Sequence, residues 1–194
     1  MHLRSALLLV LMFSLPWAVH AQAIATGGSY DSIPRLELGA NYNFIHANAP
    51  PGQCGCFSLN GGSATVLMNI TPVWAAVADI TVGHATNVDS SLQNITIFNY
   101  LFGMRYTRRT SKRFVPYAEA LFGGAKEDVN FVFTINRNAF GLAGGGGVST
   151  RLKGKFGLTA VQVDYVYTQI PNGRNDRQNN IRVATGITYG FGYE

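Results

Sequence analysis

The chain has 194 residues, of which 47% are hydrophobic and only 13% charged, with 22 glycines and a formal net charge of +5. It has no run of about 18 uninterrupted apolar residues, which excludes a spanning helix. High apolar content without such a run, together with abundant glycine, points to β structure.

Residues 1–4 carry one positive side chain, Arg4, and residues 6–13 are almost wholly apolar before Pro16 breaks the run. Small residues then arrive in Val19-His20-Ala21 and again in Ala21-Gln22-Ala23. Charge, apolar length and cleavage chemistry are those of a secretory signal peptide. The expected organisation is residues 1–21 as signal peptide (cleavage after Ala23 being the alternative), 22–34 as a flexible leader and 35–194 as the folded domain. Without Arg4, 14 Lys and Arg face 10 Asp and Glu, a net +4. Nucleic acid is an unsuitable partner for an exported chain, so the basic excess reads as turn residues and a positively charged rim.

The expected strands follow in chain order. Residues 35–46 set Leu36, Leu38, Ala40, Tyr42 and Phe44 against Glu37, Gly39, Asn41 and Asn43. Residues 47–62 read as a loop by Pro50-Pro51-Gly52 and Gly61-Gly62. Residues 63–70 place Ala64, Val66, Met68 and Ile70 on one face, and Thr71-Pro72 makes a tight connection. Residues 74–85 oppose Ala76, Ala78, Ile80 and Val82 to Val77, Asp79, Thr81 and Gly83. After a polar loop at 84–94, residues 95–106 oppose Phe98, Tyr100, Phe102, Met104 and Tyr106 to Asn99, Leu101, Gly103 and Arg105. A basic turn with Arg108, Arg109, Lys112 and Arg113 precedes residues 114–125, where Ala118, Ala120 and Phe122 oppose Glu119; Pro116 weakens the start of this strand. Residues 126–138 read as a loop in which 131–133 could prolong the hairpin. Residues 139–151 set Phe140, Leu142, Val148 and Thr150 against a glycine-rich face ending in Arg151. Residues 156–168 set Val161, Val163, Tyr165 and Tyr167 against Gln162 and Asp164. A polar loop at 169–179 leads to the last strand, 180–193, where Ile181, Val183, Ile187, Tyr189, Phe191 and Tyr193 alternate with Arg182, Ala184, Gly186, Thr188 and Gly190.

A period of two means extended strands with one apolar face. Eight of them, joined alternately by tight turns and longer loops, form the rhythm of an all-β, antiparallel up-and-down barrel. The charges indicate which face is inside. Glu37, Asp79, Arg105, Glu119, Arg151, Asp164 and Arg182 all fall opposite the apolar set. An Arg or Lys facing lipid near the midplane would cost about 2–4 kcal/mol. A soluble barrel would reverse the faces, but its solvent side would seldom carry so much glycine and so few Lys or Glu. The expected fold is therefore an eight-stranded transmembrane barrel with a small, polar interior.

On residues 36–44, 116–124, 140–148, 162–165 and 180–192 the chain resembles the OmpA-like and opacity-type outer-membrane β-barrels. The resemblance implies eight antiparallel strands, periplasmic turns and extracellular loops. It also implies an outer-membrane location, with membrane lipid and the barrel-assembly machinery as partners. Two departures stand out. Glu194 follows the terminal aromatic that the assembly machinery commonly reads, which shifts the expected signal to Tyr189, Phe191 and Tyr193. No C-terminal peptidoglycan-binding domain follows, so a free-standing barrel is expected.

Candidate sites are sparse. Cys54 and Cys56 lie in the first extracellular loop with only His46 nearby, too few ligands for a metal site; in an oxidising compartment a local disulfide or a bridge to another chain is the expectation. Among the interior charges, Arg105 is expected between Asp79 and Glu119, and Arg182 beside Asp164, as a packed ion-pair network. Eight strands enclose a lumen that side chains can fill, which argues against a diffusion porin. His46 and His84 sit at loop edges without a nucleophile at convincing spacing. Gly144–Gly147 lacks the Lys-Ser/Thr of a phosphate loop. No catalytic residue, cofactor or metal is expected. The basic turn can face lipid phosphates at the periplasmic rim or be merely solvated. The anticipated role is structural or surface-exposed in a monomer with an unspecified extracellular ligand; a narrow channel and a loop-mediated adhesin are the alternatives.

Overall fold

The computed structural model describes residues 33–48, 56–88, 93–111, 114–130, 134–171 and 176–193. The expected signal peptide, nearly all of the expected leader, Cys54, Lys112, Arg113, residues 131–133 and Glu194 lie outside them. Eight strands follow in order: β1 Pro34–Asn48, β2 Cys56–Asn69, β3 Trp74–Val88, β4 Gln93–Thr107, β5 Val115–Asn130, β6 Thr134–Arg151, β7 Phe156–Thr168 and β8 Gln178–Tyr193. Each pairs antiparallel with its sequence neighbour, and β1 pairs with β8, closing the barrel. Closure leaves no unpaired sheet edge, the condition for β structure in hydrocarbon.

The register fixes the tilt. The row of partners beginning at Glu37 runs through Leu67, Val77, Gly103, Leu121, Ala143 and Val166 to Asn180. Glu37 itself pairs with Gly190, so one circuit climbs the ten residues between Asn180 and Gly190 along β8. With ordinary strand spacings this stagger corresponds to a tilt of about 40°.

Alternating exposure follows the expected faces. Leu36, Leu38, Tyr42 and Phe44 on β1, Phe102 on β4, Phe122 on β5 and Ile187 on β8 are large apolar or aromatic residues directed outward, Phe122 being 59% exposed. In water such a belt would be an aggregation surface; against acyl chains it is the favourable face. At the end carrying Pro34 and Tyr193 the belt finishes in aromatic pairs: Trp74–Tyr106 with ring centroids 5.2 Å apart, Phe156–Tyr189 at 5.0 Å and Tyr189–Phe191 at 4.7 Å. Aromatic rings concentrate at the interfacial depth, so they mark the bilayer boundary there.

Three expected loops are largely strand. Gly61 and Gly62, which read as a turn, are paired within β2, which begins at Cys56. Residues 84–94 mostly extend β3 and β4, and residues 126–138 mostly extend β5 and β6. Beyond the lipid belt neither face needs to be apolar, so alternation fades there while the backbone ladder continues. The hairpins on that side therefore rise past the membrane as paired strands. With an even strand count both ends of the sheet lie on the other side, the periplasmic one in barrels of this architecture.

Candidate functional site

The interior is a continuous polar network set against two apolar clusters. Arg182, 2% exposed, is its hub. Its Nε donates to Asp164 Oδ2 at 2.9 Å, and its Nη1 donates to Asp79 Oδ1 at 2.7 Å and to Thr81 Oγ1 at 2.5 Å. Asp79 also accepts from Thr81 at 2.8 Å and from Thr65 at 3.1 Å, and Asn41 donates to Thr65 and to Ser63. On the other side Gln162 Nε2 donates to both Asp164 Oδ2 and Glu119 Oε1 at 2.8 Å, while its Oε1 accepts from Tyr117. Arg105 closes the chain of contacts, reaching Glu119 Oε2 at 2.7 Å with its guanidinium 4.0 Å above the Tyr117 ring. Each charge has an opposite partner, which is what makes such burial tolerable. Gly145 makes the space: a Cβ there would strike the Val163 carbonyl and the Asp164 carboxylate.

The apolar parts lie inside the same wall. Leu67, Ala75, Val77, Leu101, Leu121, Ala143 and Val166 form one cluster. Ile45, Ala47, Leu59, Ala85, Val88, Ile95 and Ile97 form the other, at the extracellular ends of β1 to β4. Ile170, in the connection after β7, is fully buried, and Gln169 N–H donates to the Phe140 carbonyl to anchor it. The lumen is thus less uniformly small and polar than expected, because leucines and isoleucines share the inward parity with the charges.

At the periplasmic mouth, Arg109 turns under the barrel. Its Nε donates to the Pro72 carbonyl at 2.9 Å, and its Nη2 donates to Asn69 Oδ1 at 3.2 Å and lies 3.8 Å from Glu37. Asn69 in turn donates to Glu37 at 2.8 Å. Burial lowers the Arg109 pKa from its ordinary value and Glu37 opposes this; a guanidinium stays charged in either case.

The candidate residues therefore separate. Asp79, Arg105, Glu119, Asp164 and Arg182 meet in one network, but Arg105 pairs with Glu119 and not with Asp79, because the register sets it against Ala75 while Asp79 pairs with Arg182 across the lumen. Glu37 belongs to the periplasmic mouth, and Arg151 is exposed at the end of β6, 5.8 Å from the Tyr193 ring. Cys56 begins β2, paired with Asn48. His46 and His84 face outward near the extracellular end; His84 Nδ1 lies 2.8 Å from Thr96 Oγ1 and His46 Nδ1 lies 3.5 Å from Ser58 Oγ. Gln162 is expected on the Asp164 face, but neither it nor Tyr117 belongs to the expected charge network, although both share the inward parity of Glu119 and Asp164. Glu127, buried and accepting from Gln178 at 3.0 Å, lay in an expected loop.

A closed eight-stranded barrel with a lipid-facing apolar belt, an aromatic girdle and a filled interior defines an outer-membrane barrel protein. The chain belongs to the outer membrane protein beta-barrel domain family, whose model matches residues 5–194. Among solved structures it is similar to Neisserial surface protein A, at 16% identity and a TM-score of 0.64 over 80% of this chain and 97% of that one. It is also similar to Ail, the attachment invasion locus protein of Yersinia pestis, at 13% identity and a TM-score of 0.55 over 81% and 100%. Ail in complex with the heparin analogue sucrose octasulfate gives 13% and 0.51 over 80% and 99%. No curated protein matches the sequence.

Proposed function

We propose that the chain is a closed, surface-exposed barrel without a catalytic site, which holds extended hairpins above the outer membrane for structural or surface contacts. The carrying observation is the occupied lumen: Arg182 is shared by Asp79 and Asp164, Arg105 is held by Glu119, and an apolar cluster fills the extracellular end. Conduction would need mobile or unpaired charge along an open path. Export through a signal peptide cleaved after Ala21, monomeric insertion in outer-membrane lipid and delivery by the barrel-assembly machinery belong to the same reading. Cys54 and Cys56, adjoining the first extracellular hairpin, would join in a local disulfide or bridge to another chain.

The name of Ail suggests attachment through the hairpins. Its sulfated ligand does not carry over readily, because the described extracellular charges balance: Lys126, Arg137 and Arg177 against Glu127, Asp128 and Asp176.

Planar-bilayer recording tests the closed state. The expected result is no steady conductance from the reconstituted barrel. A conductance that disappears on substituting Asp79 or Arg105 would establish a channel instead, and turnover of lipid or peptide lost on replacing His46 or His84 would establish an enzyme.

A further inference from the structure

The ionisable side chains are distributed unevenly along the barrel axis. Among the described residues the extracellular end carries three cations and three carboxylates, and the lumen holds two cations, Arg105 and Arg182, against Asp79, Glu119 and Asp164. Among the described residues the periplasmic end carries Arg35, Arg108, Arg109, Arg151, Lys153 and Lys155 against Glu37. The net positive charge of the described residues therefore comes from one rim. Arg109 is committed to Asn69 and Glu37, and Arg151 to the Tyr193 ring. Arg35, Arg108, Lys153 and Lys155 are exposed.

Their position is defined by the aromatic girdle. Arg108 lies two residues beyond Tyr106, which packs on Trp74. Lys155 precedes Phe156, whose ring meets Tyr189, and its carbonyl accepts from Gly190 N–H at 2.9 Å. Arg35 precedes Leu36, the partner of Phe191. Aromatic rings occupy the headgroup boundary, so Arg35, Arg108 and Lys155 sit at the depth of lipid phosphates, and Lys153 lies in the same short β6–β7 turn as Lys155, where Leu152 N–H donates to the Phe156 carbonyl.

We propose that this rim is a binding surface for anionic phospholipid headgroups of the periplasmic leaflet, with Arg35, Arg108, Lys153 and Lys155 as the phosphate-recognising groups. A basic side chain near an anionic leaflet gains favourable electrostatic energy that falls off within a Debye length. Exposed cations placed beside a bilayer, at an end whose one described carboxylate is already occupied, are suited to lipid phosphate as counter-charge. The surface is independent of whatever the extracellular hairpins bind.

Trp74 provides the probe, because it sits in the girdle and is the only tryptophan beyond Trp17. Residues 22–194, folded into phosphatidylcholine vesicles, would receive equal fractions of dibrominated phosphatidylglycerol or dibrominated phosphatidylcholine, and Trp74 quenching would give their relative association. The expected result is a preference of about fivefold or more for the anionic lipid. It should fall to parity in 1 M salt and in the combined Arg35→Gln, Arg108→Gln, Lys153→Gln and Lys155→Gln variant. Folding of each variant is checked by a boiling-dependent gel shift, and the pair Arg108→Gln and Lys155→Gln, expected to lose at least half of the preference, serves if the fourfold variant does not fold. Equal quenching by both lipids in the unaltered barrel, or a full preference retained by the variants, overturns the proposal. Absence of the preference together with dextran sulfate binding lost in the same variants would assign the rim to a soluble polyanion instead, and likewise overturn it.

Discussion

Arg182 and Asp79 meet at 2.7 Å across the lumen although 103 positions separate them in the chain. Arg182 also pairs with Asp164 Oδ2 on its own neighbouring strand, so a single guanidinium ties β3, β7 and β8 together. Losing it would leave two buried carboxylates facing each other. Removing one partner of a buried pair costs about 3–5 kcal/mol. Arg182→Leu should therefore lower stability in urea titrations of the vesicle-folded barrel by at least that amount. Adding Asp79→Asn and Asp164→Asn to Arg182→Leu should recover a substantial part, since the two neutral amides no longer need the cation. A triple variant no more stable than Arg182→Leu alone would show that packing, not charge, sets the cost.

Gly145 and Gly144 are neighbours with opposite surroundings. A methyl at Gly145 would meet the Val163 carbonyl and the Asp164 carboxylate, whereas nothing lies within 4 Å of one added at Gly144. Overpacking typically costs about 1–3 kcal/mol. Gly145→Ala should show a loss in that range by the same urea titration, and Gly144→Ala should change stability by less than about 0.5 kcal/mol. Equal effects would mean that the glycine run acts through chain flexibility instead of through the space it leaves for Asp164.

Most of the barrel was legible because hydrocarbon enforces a strict period of two. Residues 156–168 emerged as β7 with the bounds read from the sequence, and the two faces of β4 fell as expected. Where lipid ends, that constraint ends too. Gly61-Gly62 imitated a turn while lying mid-strand, and Glu127 was hidden in an apparent loop. The charged residues of the lumen were identifiable by parity, but their partners were not. Strand order alone suggests Arg105 between Asp79 and Glu119, but the register sets Arg105 against Glu119 and Ala75, and the closed, staggered sheet carries Arg182 across to Asp79. Only the three-dimensional closure supplies that contact.

Arg109 is expected to act as a latch on the periplasmic mouth. It joins the turn after β4 to the turn after β2 through the Pro72 carbonyl and Asn69. The site is partly open to solvent, so the loss in Arg109→Ala should be modest, about 1 kcal/mol or less. Hydrogen exchange is the more sensitive measurement. Amides at 70–73 and 107–109 should exchange faster in the variant while those around Arg182 stay protected. Unchanged exchange in the two turns would remove the latch role.

The last strand carries the assembly expectation. Tyr189 packs edge-on against both Phe156 and Phe191, and Pro34 pairs with Tyr193 where β8 closes on β1. An aromatic pair adds about 0.5–1.5 kcal/mol beyond its buried area. Replacing Phe191 and Tyr193 by serine should therefore cost some stability in the finished barrel but, if these rings are what the assembly machinery reads, should lower insertion far more. Comparing machinery-assisted insertion with unassisted folding into vesicles separates the two effects. A loss confined to the assisted route is expected, while equal losses in both would reduce Phe191 and Tyr193 to packing residues. Removing Glu194 should leave assisted insertion intact or improve it; a sharp decline would instead give the Glu194 carboxylate a part in recognition.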